Sequence, residues 1–441
     1  MSRQDQQQEA KHQREGNRPL PAPGVRTGPR PLPMHLTTAL MLWNSSLAAW
    51  PFWKNGSLPS KSGAQNPDAS PEQARAEAER AAQLREALQR IDPEAFQKAL
   101  QAQVNERLDG LLDGIEAYRH HPYSRDLPEM PVLWQEGSTR LLDYAPDAPE
   151  DAPVVFVVPS LVNRYYVLDL QADRSLLRWL AGEGFKPLVI DWDAPGEAER
   201  GFTLTDYVAG RLEAALDAAL AATKAPMILT GYCMGGLLAL ALAQRRQRDL
   251  AGLVLMATPW NFHAEQEEVS RFAGMQAGFL QPLLQGLGFM PTDMVQSYFA
   301  LLDPLSVLKK FMAFGRMEAS GSKAGRFVAL EDWLNDGVPL SAPVALECLM
   351  GWYGANETHL GLWRIAGHPV DPAEVTLPTL ALVPGQDRIV PPASALALTG
   401  ALPTCEVMTP ALGHIGMVVA GGARDQLWRP LADWLWKRSA P

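Results

Sequence analysis

The sequence predicts an α/β protein, a mostly parallel sheet flanked by helices, and three observations carry that expectation. From Pro131 onward, short β-rich runs alternate with helical patterns. The runs are apolar almost throughout, as strands buried on both faces are. One of them ends in a glycine-framed turn that leads straight into a helix-like stretch. The clearest runs are Val154 to Val158, Pro187 to Ile190, Met227 to Thr230, Leu253 to Ala257, Thr379 to Val383 and Glu406 to Met408. Between Thr258 and Thr376 the alternation lapses into an aromatic- and Met-rich stretch, which predicts a cap inserted at about 259–375 in a catalytic domain spanning 131–441.

The region before that domain reads differently. Residues 1–70 are expected to be a disordered polar start (Met1 to Arg30), an aromatic stretch (Leu32 to Trp53) and a linker (Lys54 to Ser70). The aromatic stretch holds Trp43, Trp50, Phe52 and Trp53. It suits either an interface between water and an apolar phase or the protein's own body, and its prolines and polar residues make it a poor transmembrane helix. Residues 71–130 are expected to be a helical extension, with one helix starting where Asp92 caps and Pro93 fills the first turn. Phe96, Leu100, Val104, Leu108, Leu112 and Ile115 would form its apolar stripe, packed on the main domain or on a second copy.

Bulk properties exclude some classes. The chain has 441 residues, 47% of them hydrophobic, enough for one large core with additions. A net charge of −10 argues against nucleic acid as a partner, because phosphate binding needs a clustered basic excess. Three cysteines, Cys233, Cys348 and Cys405, are too few for a disulfide framework and lack the spacings of a zinc site. A reducing cytoplasm is therefore the natural compartment.

The chemistry centres on Gly231-Tyr232-Cys233-Met234-Gly235-Gly236, which follows one apolar run and precedes a helix. This is the strand–turn–helix setting of the nucleophile elbow in the α/β-hydrolase fold, with Cys in place of the usual Ser. A buried core cysteine is the alternative, but glycines two positions to either side have no packing reason to be there. The fold orders its residues nucleophile, acid, base. Asp387, after the run Thr379 to Val383, and His414, after the last run, supply the other two in that order. The oxyanion donors are expected to be the backbone N–H groups of Met234 and Val162, the latter in Ser160-Leu161-Val162-Asn163-Arg164 after Val154 to Val158.

On these residues the chain resembles the polyhydroxyalkanoate synthases. The likeness runs from about Pro131 to Pro441 and includes Val158 to Leu170, Asp191-Trp192, Leu204-Thr205-Asp206-Tyr207, Thr258-Pro259 and Trp333 to Pro339. Arg388 stands where members often carry His after the acid. The resemblance implies polymerisation of (R)-3-hydroxyacyl-coenzyme A with release of coenzyme A, with no metal and no bound organic cofactor needed. Cys233 would hold the chain as a thioester, His414 would act as base, and Asp387 would support it or the incoming hydroxyl. It also implies a homodimer, an accessory synthase subunit or a granule surface as partners, and a location at polyester granules. A thioesterase, esterase or polyester depolymerase, or a non-catalytic granule-surface protein, are the alternatives on the same scaffold.

Overall fold

The computed structural model describes residues 26–54 and 90–439, with isolated positions between 75 and 87. The expected disordered start up to residue 25 and the expected linker from residue 55 lie outside the described residues. Two compact units result, one from Met1–Pro122 with Asp303–Gly325, the other from Tyr123–Leu302 with Arg326–Pro441.

In the first unit, α1 (Leu32–Lys54) and α2 (Pro93–Arg119) pack with a helix drawn from much later in the chain, Ser306–Phe314. Helix α2 starts as its sequence dictates, with Asp92 accepting from the Glu94 N–H and Pro93 in the first turn. Its buried line is Val104, Leu111, Ile115 and Tyr118, while Leu112 is exposed. The expected stripe fails at Leu112 because successive four-residue steps each overshoot a helical turn by about 40°. Tyr118 meets the Phe311 ring edge-on. In α1, Trp43 is buried and Leu40, Met41 and Leu42 are exposed.

The second unit is built on eight strands: β1 (Val132–Glu136), β2 (Thr139–Asp143), β3 (Val154–Val158), β4 (Lys186–Asp191), β5 (Met227–Tyr232), β6 (Gly252–Met256), β7 (Thr379–Leu382) and β8 (Cys405–Met408). Their spatial order is β1-β2-β4-β3-β5-β6-β7-β8. Pairing is parallel from β4 to β8, and β1 and β2 are antiparallel additions at one edge. Alternation sorts the side chains into two layers. Val154, Phe156 and Val158 face α3 (Glu213–Ala222) and α4 (Met234–Arg246), whereas Val155 and Val157 face the helix Leu176–Gly182 and the C-terminal helix Arg429–Ser439.

Between β6 and β7 the second unit carries α5 (Glu267–Leu287), α6 (Thr292–Leu302) and a π-helical stretch, Glu347–Gly354. Helix α5 lies close on that stretch. A Cβ at Gly274 would come within 2.3 Å of the Gly354 Cα, so only glycine permits the approach.

Candidate active site

Cys233 sits between the end of β5 and the start of α4, with φ 56° and ψ −126°. Such a backbone is strained for a non-glycine residue and persists only where its surroundings hold it. Its N–H donates to the Met256 carbonyl at 2.8 Å, which ties the turn to β6. The two glycines that follow permit the close packing. A Cβ on Gly235 would strike the Val158 carbonyl oxygen at 2.1 Å, and one on Gly236 the Thr258 hydroxyl at 1.9 Å.

His414 and Asp387 are buried and bonded, His414 Nδ1 to Asp387 Oδ2 at 2.7 Å. The other carboxylate oxygen of Asp387 accepts the N–H groups of Ile389 (2.8 Å) and Val390 (2.9 Å). Both oxygens are committed, so the carboxylate is fixed in place. Burial alone would lower the His414 pKa. The Cys233 charge, together with hydrogen bonds to Asp387 and Cys233, overcomes burial and raises it to about 10. The structure thus brings Cys233, Asp387 and His414 into one cluster.

The other two cysteines have different surroundings. Burial first, and the Glu347 charge second, push the Cys348 thiol well up. Burial likewise raises Cys405, to about 11. Thiols held protonated in this way are poor nucleophiles at neutral pH.

Met234 is the first residue of α4, where a backbone N–H has no partner within the helix and the helix dipole favours negative charge. The Val162 N–H meets only the Ser160 hydroxyl, at a long 3.4 Å, while the Val162 carbonyl accepts from Val338 N–H at 3.1 Å. Both donors border the cavity that reaches Cys233.

One residue was not singled out from the sequence. Tyr232, directly before Cys233, stacks on the His414 ring at 5.4 Å and donates its hydroxyl to the His414 carbonyl at 3.1 Å. Burial, then the nearby Cys233 and Asp387 charges, raise its pKa well above the ordinary value, so it stays a donor.

Two of the sequence stretches without evident chemistry, Asp191-Trp192 and Trp333 to Pro339, converge on the Pro159–Arg164 loop. Trp192 Nε1 donates to the Pro159 carbonyl at 3.0 Å, and Trp333 Nε1 donates to the Arg164 carbonyl at 2.7 Å. Asn163 bridges to Gly337 and accepts from Gln296. The Arg164 guanidinium reaches Asp193 at 2.5 Å and Asp336 at 3.2 Å, and Asp336 also accepts from the Tyr166 hydroxyl. Burial disfavours the charge on Arg164, but these two carboxylates outweigh it and raise its pKa. Further along, buried Asp169 gathers Arg125, Arg178 and Tyr144. The loop carrying Val162 is therefore held by side chains from three separate segments, around Trp192, Gln296 and Trp333.

Two cavities meet at Cys233. The larger, about 160 Å³, is walled by residues such as Phe262, Phe272, Tyr298, Leu349 and Trp352. The smaller, about 90 Å³, has His414, Asn163, Arg164 and Trp333 on its walls. Among the described residues no His, Cys, Asp and Glu cluster suits a metal ion, and no helix is long and apolar enough to cross a membrane.

Comparison with known proteins matches residues 153–420, more than half of the chain, to the α/β hydrolase fold family. Three relatives carry the name poly(3-hydroxyalkanoate) polymerase subunit PhaC. The Haloferax mediterranei protein is 30% identical over 70% of this chain and 64% of its own length. The Synechocystis protein is 30% identical over 70% of this chain and 84% of its own. The Allochromatium vinosum protein is 29% identical over 68% and 86%. The chain thus spans somewhat less than two thirds of the Haloferax relative. Among solved structures, an esterase from Thermogutta terrifontis aligns with 20% identity over 71% of this chain and 99% of its own, at a TM-score of 0.41. With its nucleophile-elbow fold and its likeness to these proteins, the chain belongs to the poly(3-hydroxyalkanoate) polymerase family of α/β-hydrolase-fold proteins.

Proposed function

We propose that this chain polymerises (R)-3-hydroxyacyl-coenzyme A, with Cys233 as nucleophile, His414 as proton carrier and Asp387 as the group that orients it. The observation that carries the reading is a cysteine at the elbow, beside the buried His414–Asp387 pair, opening onto a largely apolar cavity.

In the first transfer the Cys233 thiolate attacks the acyl carbonyl carbon, with its proton on His414. The Met234 and Val162 N–H groups receive the developing oxyanion. The carbon–sulfur bond to coenzyme A breaks, and His414 returns its proton to the leaving thiolate. Passing an acyl group from one thiol to another keeps it activated, which an ester to serine would not do. In the second transfer, neutral His414 takes the proton of a 3-hydroxyl, the alkoxide attacks the Cys233 thioester, and the carbon–sulfur bond breaks as the oxoester forms. Water must be kept from the thioester, a task suited to the apolar α5, α6 and Glu347–Gly354 segments acting as a cap. The commitment of both Asp387 oxygens favours an orienting role over direct removal of the hydroxyl proton.

The test is purified protein with (R)-3-hydroxybutyryl-coenzyme A. Free coenzyme A together with insoluble polyester is expected. Soluble hydroxy acid as the sole product would make the protein a thioesterase.

A further inference from the structure

From Phe272 to its end, helix α5 has an outer face with no charge on it. From Phe272 to Thr292 the chain holds no Asp, Glu, Lys or Arg. Within that stretch Met275 is 61% exposed, Phe279 83% and Leu283 51%. The steps Phe272, Met275, Phe279, Leu283 and Leu287 recur at three and four residues, so they share one side of the helix. Solvated helices ordinarily carry charge on such a face, and a continuous apolar stripe marks a contact surface.

The stripe starts at the catalytic cavity. Val269 and Phe272 line the cavity that reaches Cys233, and exposed Leu301 and Tyr353 also border it. From Phe272 to Leu283 the stripe continues for about 16 Å along the helix. Gly278 and Gly286, beside Phe279 and Leu287, have open space where a side chain would stand, so the surface is furrowed.

We infer that this stripe is the track along which the polyester leaves Cys233, an inference that rests on the polymerase reading above. The product suits the surface. A poly(3-hydroxyalkanoate) chain is neutral, slender and without hydrogen-bond donors along its length, so it has nothing to gain from charged residues and buries apolar area against Met275, Phe279 and Leu283. The coenzyme A nucleotide, which is polyanionic, finds no cation on this face. Exit along α5 keeps the chain on apolar surface from the cavity rim outward.

The test compares wild type, Phe279→Ser/Leu283→Ser and the conservative Phe279→Leu. Three quantities are read: binding to preformed amorphous poly(3-hydroxybutyrate) nanoparticles, the length of polymer made, and the sedimentation coefficient of the free protein. The double variant should bind nanoparticles roughly a hundredfold more weakly, the loss that removing two large buried side chains brings. It should also make shorter chains while sedimenting as wild type does, and Phe279→Leu should behave as wild type. Unchanged binding and unchanged chain length would overturn the inference. So would a change of assembly state in the double variant, which would make the stripe an interface between copies. Nanoparticle binding needs no turnover, so the two failures are told apart: a wild type that releases only hydroxy acid refutes the polymerase reading and the exit track with it, whereas a wild type that makes polymer while the double variant binds and elongates as it does overturns the track alone.

Discussion

The Pro159–Arg164 loop and helix α5 border the same cavity and are built in opposite ways. The loop is held by directed polar bonds from Trp192, Trp333, Asp336 and Val338. The helix offers apolar side chains, and its last four turns carry no charge. Directed bonds fix atoms to within fractions of an ångström, as oxyanion donors require. Apolar surface fixes no atom but excludes water and tolerates a substrate that changes length at each turn. On the proposed function, catalytic geometry and chain accommodation fall to different segments, and substitutions should separate them.

The largest effect should come from the reacting groups. Cys233→Ala should abolish coenzyme A release and polymer formation, measured by thiol assay and turbidity. Asp387→Asn should lower kcat roughly a thousandfold or more, because a fixed carboxylate sets the His414 tautomer and stabilises its charged form. Next comes the loop. Asp336→Asn weakens the hold on Arg164 and should lower kcat about tenfold to a hundredfold with KM little moved, as expected when an oxyanion donor is misplaced rather than removed. A rise in KM alone would mean that the loop binds substrate and does not position the donor, which would break the comparison.

Proton affinity gives a third test. The His414 ring should titrate well above its ordinary value, near 10, when followed by NMR, and Cys233→Ala should lower that value because the cysteine charge is the leading cause of the rise. The sign for stability follows. A raised folded-state pKa stabilises fully below the ordinary value of about 6.5, and the stabilisation is lost as pH rises through the folded value. The stability difference between wild type and His414→Gln should therefore shrink from pH 7 to pH 10. The smallest effect should be that of Trp192→Phe, which removes one hydrogen bond to Pro159 and should cost about 1 kcal/mol in denaturant unfolding.

Much of this was legible in the sequence because its signals are local. The elbow, with its glycines, needs only neighbouring residues to be recognised, and strands buried on both faces declare themselves as apolar runs. Strands β1 and β2 were harder. β1 is a largely exposed edge strand with little apolar signal, and β2 holds Arg140 opposite Asp191, a pairing that no single run reveals. The union of Ser306–Phe314 with the N-terminal helices spans nearly two hundred residues and leaves no local mark. The motifs around Trp192, Trp333 and Asp336 could be noticed but not interpreted, because their partners are backbone carbonyls and a loop arginine far along the chain. Tyr232 escaped for the same reason, its partner being the carbonyl of His414.

On the proposed function, Cys233 carries the growing chain. Rapid acid quench of the protein with (R)-3-hydroxybutyryl-coenzyme A, followed by intact and peptide mass spectrometry, measures it directly. Mass added in whole hydroxyacyl units, located on the peptide containing Cys233 and removed by hydroxylamine, is expected. Release of coenzyme A with Cys233 unmodified throughout, or acyl groups found on another residue, would contradict it.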